Sequence, residues 1–153
     1  MAATAHAFAA LKADGSVVTS GDEDYGGDSS MVREALSSDV HEIARTDSAF
    51  AALKTDGSVV TWGDEFQGGC SVAVRDQLSS GVFRVTGACE AFAAVKLDGS
   101  VVTWGWSERG GDSSAVQAEL QMFSDHGNDA DSIVCEEDVE DNETRSIRSF
   151  TAA

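Results

Sequence analysis

The chain has no proline, only three cysteines, three histidines and a single tyrosine in 153 residues, and ten lysines and arginines against 27 aspartates and glutamates. Without proline, every turn must be made by Gly, Asp, Asn or Ser. Cys70, Cys89 and Cys135 are odd in number, widely spaced and contain no Cys-x-x-Cys pair. That disfavours a disulfide framework or a zinc site, and the expectation is reduced thiols in an intracellular chain. No run approaches the ~20 apolar residues of a spanning helix. Met1 to His6 lack the basic and apolar regions of a secretory signal. Direct membrane insertion is therefore not expected. The formal charge of −17 argues against phosphate backbones and anionic membranes as direct partners, so no nucleic acid is expected.

What is present is 42% apolar residues, 15 glycines and a repeat. From Ala7 the chain reads AFAALKADGSVVTSGDEDYGGDSS, from Ala49 AFAALKTDGSVVTWGDEFQGGCSV, and from Ala91 AFAAVKLDGSVVTWGWSERGGDSS; the three units are spaced 42 residues apart without insertion or deletion. Self-similarity at this period marks a repeat architecture. In Ala-Phe-Ala-Ala-Leu-Lys the period-two alternation of a strand puts Phe50 and Ala52 on one face and Ala51 and Leu53 on the other. Asp14-Gly15, Asp56-Gly57 and Asp98-Gly99 are the expected hairpin turns, read as tight turns with positive φ at the central residues. A β-branched and aromatic strand follows each turn, as in Val59-Val60-Thr61-Trp62.

Ser29, Ser71 and Ser113 precede apolar pairs four apart, Val32 and Leu36, Val74 and Leu78, Val116 and Leu120. This predicts a serine-capped helical turn in each unit. A third short strand, Val40 to Arg45 or Val82 to Thr86, then leads into the next unit. The first unit is expected to lack this strand, leaving Ala2 to His6 as a remnant, and the third to lack its return strand. The domain organisation is a repeat domain over 1–121 and an acidic tail over 122–153.

The tail carries Glu136, Glu137 and Asp138 among nine acidic residues, opposed by Arg145 and Arg148. Such a segment is solvated or orders on a partner. The carboxylates of Asp22, Glu23 and Asp24, with Asp28 and Glu34, around Gly26-Gly27 have a calcium-loop flavour, but the ligands are not repeated in the other units and no metal or other cofactor is expected. His6, His41 and His126 fall at unrelated repeat positions. No nucleophile–base pair or phosphate loop is spelled, and the chain is expected not to be an enzyme. Trp62 and Trp104 recur at one position, where Ser20 stands in the first unit, and are expected to pack between units. Trp106 replaces the acidic residue of Asp22 and Asp64 and is the candidate contact anchor. Trp104, Trp106 and the Glu136 to Asp138 acidic group are the expected partner-binding residues.

The phrase spelled by Val40, Ile43, Ala49 to Lys54, Asp56 to Val59 and Trp62-Gly63-Asp64 resembles the regulator of chromosome condensation repeat. The resemblance covers most of residues 1–121 and none of the tail. It implies a β-propeller blade per unit. Family members exchange nucleotide on the small GTPase Ran and bind chromatin, or form repeat domains of HECT-type ubiquitin ligases. This chain departs from the pattern: the Gly-Gln-Leu-Gly after the Trp-Gly turn is replaced by Gly68-Gly69 or Gly110-Gly111, and a propeller closes with about four to eight blades. The expected fold is mainly β, with tandem hairpins forming a partial, open propeller-like array with short helical turns. A closed β-trefoil is the alternative. The expected function is a non-catalytic protein-binding or scaffold module docked in a larger complex. The alternatives are a ligand-binding trefoil and an exchange-factor-like propeller fragment.

Overall fold

The structure is a computed structural model that describes residues 1–122. The acidic tail from residue 123, with Glu136, Glu137 and Asp138, lies outside the described residues. The strands are β1 (Ala2–Ala3), β2 (Ala7–Leu11), β3 (Val17–Gly21), β4 (Val40–Arg45), β5 (Ala49–Lys54), β6 (Val59–Gly63), β7 (Val82–Gly87), β8 (Ala91–Lys96) and β9 (Val101–Gly105). They form three antiparallel sheets, β1-β2-β3, β4-β5-β6 and β7-β8-β9. The central hairpins share one register: Ala7 opposes Gly21, Ala49 opposes Gly63 and Ala91 opposes Gly105.

The third strand of each sheet precedes its hairpin in the chain. This corrects the expectation that the third unit lacks a strand, because β7 arrives from the second unit and completes the sheet. It also corrects the reading of the first unit, where Ala2 and Ala3 do pair with β2. The sheets share no ladder with one another. A β-trefoil would need strands pairing across units into one barrel, so the trefoil alternative is overturned. The architecture is an open, propeller-like stack of three blades.

The hairpin turns differ from expectation in kind. In the first, Lys12 and Ser16 close a three-residue loop: the Lys12 N–H donates to the Ser16 carbonyl (2.8 Å) and the Gly15 N–H to the Lys12 carbonyl (3.0 Å). Only the glycine takes the left-handed conformation, with φ +80° at Gly15 and Gly57 and +83° at Gly99. This is a type I turn closed by a glycine bulge. The aspartate contributes through its side chain, since Asp14 Oδ1 accepts from the Ser16 N–H (3.0 Å) and hydroxyl (2.6 Å). Asp56 and Asp98 do the same to Ser58 and Ser100.

The helical turns, at Ser30–Val32, Val72–Val74 and Ser114–Val116, are 3₁₀. Ser29, Ser71 and Ser113 do not cap them. Their hydroxyls meet the strand hydroxyls of Thr19, Thr61 and Thr103 at 2.8–2.9 Å and pin each turn to its own blade. Capping falls to the preceding residue: Asp28 and Asp112 accept from the N–H of Ser30 and Ser114. In the last blade the turn runs on into helix α1 (Gln117–Met122).

Every residue of β5 from Ala49 to Leu53 is buried, because blades lie on both of its faces. Phe50, Ala52 and Trp62 pack on Ala7, Ala9, Leu36 and Val40. Ala49, Ala51 and Leu53 pack against Phe92, Ala94, Val102 and Trp104. The two-face alternation read from the sequence is thus the interblade core. Fully burying a side chain such as Phe50 or Phe92 contributes roughly 1.5–3 kcal/mol.

Candidate functional site

Each junction between blades is locked by the same three residues. Trp62 stacks on Phe50 with ring centroids 5.3 Å apart, and Trp104 on Phe92 at 5.2 Å. The indole N–H of Trp62 donates to the Gly26 carbonyl of the preceding blade (3.0 Å), and that of Trp104 to the Gly68 carbonyl (3.1 Å). Buried indoles require such a partner. Gly26 and Gly68 have φ of +87° and +102°, and a Cβ on either would stand 2.7 Å or 2.5 Å from the phenylalanine ring. Glycine is therefore needed twice over, for the backbone and for the ring.

Trp104 is 4% exposed and engaged in this lock, the packing between units expected of it. Trp106 behaves differently. It is 46% exposed, whereas Trp62 and Trp104 are buried. It opens the loop after β9, with its N–H donating to the Glu90 carbonyl and its carbonyl accepting from Arg109 and Gly111. The Arg109 guanidinium stands 3.4 Å from the Glu90 carboxylate beside it. The equivalent loop of the second blade carries Phe66, 67% exposed. That of the first carries Tyr25, which meets His6 edge-on at 4.4 Å. Phe66 and Trp106 are thus exposed on the loops of the second and third blades, whereas Tyr25 packs partly against the first interblade core. Phe66 and Tyr25 were not singled out in the sequence, because neither sits at the repeat position of Trp106.

The turn aspartates are structural. Asp14, Asp56 and Asp98 hold the turns, and their carboxyls are stabilised as anions by the serine hydroxyl first and the backbone N–H second. For Asp14 these bonds, with Lys12, hold the pKa down to about 2; Asp56 and Asp98 are lowered in the same way. Asp28 and Asp112 are lowered chiefly by the N–H groups of Ser30 and Ser114. In the acidic loop, Asp22 Oδ1 accepts from the Asp24 N–H. Among the described residues no three His, Cys, Asp or Glu side chains are grouped so as to hold a metal ion.

An open groove of about 530 Å³ separates the helical turn of the second blade from β9, with Cys70, Val74, Trp104 and Gln117 among its lining. In its lining the Thr103 hydroxyl donates to the Ser113 hydroxyl, and that of Ser113 to the Gln117 side-chain carbonyl. Cys70 is a free, exposed thiol. Among the described residues no helix is long and apolar enough to cross a membrane.

No protein-family model matches the chain, and no curated protein matches it. Among solved structures it aligns with the crystal structure of human WBSCR16, at 17% identity and a TM-score of 0.47, over 67% of this chain. The chain spans 31% of that structure's length.

Proposed function

We propose that the chain is a non-catalytic protein-interaction module, a partial propeller of the regulator of chromosome condensation type that docks a protein partner through its loop end. The observation that carries this reading is Trp106, half-exposed in a loop where the other blades have acidic residues and where nothing internal requires an indole. Interface energy concentrates on such aromatic anchors, and Phe66 on the neighbouring loop widens the apolar contact. The charge of −17 favours a basic partner surface over nucleic acid or an anionic membrane. The reading is of a subunit within a larger complex.

The test is a paired measurement on wild type and Trp106→Ala. Gel filtration of extract from cells that make the chain is expected to place wild type in a species larger than the chain or its own oligomers. Trp106→Ala should shift it to lower mass, while the purified variant melts within about 0.5 kcal/mol of wild type, as surface substitutions do. Co-elution of wild type and variant at the mass of the chain alone would reject the reading.

A further inference from the structure

The two end faces of the stack are the two halves of a junction that the chain already makes twice. At each internal junction, one side is the Phe-Ala-Val-Trp face of the later blade, as in Phe50, Ala52, Val60 and Trp62. The other is the small-residue face of the earlier blade with its left-handed glycine. On the last blade that second face recurs: Val95 is 40% exposed, where its equivalent Leu53 is 1% exposed. Gly110 has φ +103°, against +102° at Gly68, so the backbone of the socket is already formed. Yet Gly110 is exposed where Gly26 and Gly68 are buried. Among the described residues a Cβ there would meet only the Ala91 Cβ, at 3.9 Å, with no ring against it.

The opposite half is on the first blade. Phe8 (46% exposed) and Val18 (53%) occupy the repeat positions of Phe50 and Val60. Ser20, also exposed, holds the position of Trp62. Residues 123–153 contain no tryptophan with which to reach Gly110.

We propose that a second copy of the chain docks here head to tail, its Phe8–Val18 face seated on the Val95–Gly110 face of the first, continuing the internal junction across molecules. The interface is heterologous, so association grows by whole chains into a ring or an open stack. Ser20 cannot donate to the Gly110 carbonyl as an indole does, which makes this junction the weakest of the series. The strong negative charge of both copies opposes it, and salt screens that repulsion. The inference does not depend on Trp106.

Sedimentation velocity on the full chain tests it. Wild type is expected to associate as concentration rises, and more so in high salt. Ser20→Trp should tighten association about tenfold, the fold-change of one hydrogen bond of about 1.4 kcal/mol. In that background, Val18→Asp and Val95→Asp each block one face and should each be monomeric alone. Mixed in equal amounts, they should form a one-to-one dimer, because each retains the face the other lacks. Monomers throughout for both wild type and Ser20→Trp would overturn the proposal, whether the face is then covered by the chain's own tail or reserved for another protein. So would a mixture that stays monomeric while each variant melts as a folded chain.

Discussion

At the scale of single residues, the thrice-used Asp-Gly turn divides its work between two atoms' worth of chemistry. The glycine supplies the left-handed backbone, and the aspartate supplies an anionic acceptor for the serine two residues on. The dipeptide was legible in the sequence. The division was not, because a two-residue turn and a bulged three-residue loop both favour Asp-Gly and differ only in which residue turns left-handed. The consequence is a pH dependence. Asp14, Asp56 and Asp98 have folded pKa values below the ordinary carboxylate value. A depressed folded value means that the stabilisation is present above the unfolded pKa, roughly 3.9, and is lost as pH falls through the folded value. For Asp14 that lower limit is about 2. Melting temperature should therefore hold level on this account above about pH 5 and fall between about pH 4 and 2. Replacing all three aspartates by asparagine keeps an oxygen acceptor but removes the titration, so the acid limb should become shallower than in wild type. General relief of charge repulsion on acidification acts on both proteins alike and cancels in the comparison. Acid limbs of equal steepness would refute the assignment.

At the scale of the blade, the alternation of Phe50 and Ala52 against Ala51 and Leu53 was legible because a strand has period two, and both faces proved to be core. The lock at each junction was not. Its carbonyl lies 36 residues upstream of the tryptophan that uses it, as Gly68 does of Trp104, and a recurrent glycine after a strand reads equally well as a simple strand breaker. Likewise Ser29, Ser71 and Ser113 look like helix caps until their strand partners are known, since a hydroxyl serves either role. The lock can be measured by removing only the donor. Trp104→Phe retains an aromatic ring over Phe92 and leaves the Gly68 carbonyl without its indole, at an expected cost of about 1–3 kcal/mol in urea unfolding. Trp62→Phe should cost a similar amount at Gly26. A loss within about 0.5 kcal/mol at both sites, the range of an ordinary surface change, would mean that stacking alone holds the junction.

At the scale of the whole molecule, the array is one-dimensional: among the described residues the buried clusters join adjacent blades, and stability is approximately a sum of blade and junction terms. The number of units and their spacing could be read directly, whereas the assignment of strands to blades could not, because a return strand that precedes its hairpin looks the same in sequence as one that follows. The assignment matters for local stability. All three central strands, β2, β5 and β8, are hydrogen-bonded on both sides within their sheets. They differ in what covers their faces. From Ala49 to Leu53, β5 is buried throughout; β2 leaves Phe8 exposed and β8 leaves Val95 exposed. Opening free energy follows local burial, so native-state hydrogen exchange should be slowest in β5 and faster in β8, which has ladders of the same length on both sides; β2 should exchange faster still, because β1 pairs with only two of its residues. Measured at concentrations low enough to keep the chain monomeric, the difference between β5 and β8 reports interblade packing alone. Raising the concentration should then slow β2 and β8 toward β5 if copies stack on the end faces, while β5 itself has no further face to cover. Equal protection of the three strands in the monomer would instead mean that the junctions are strong enough for the blades to open as one unit, and the nearest-neighbour account of this fold would fail.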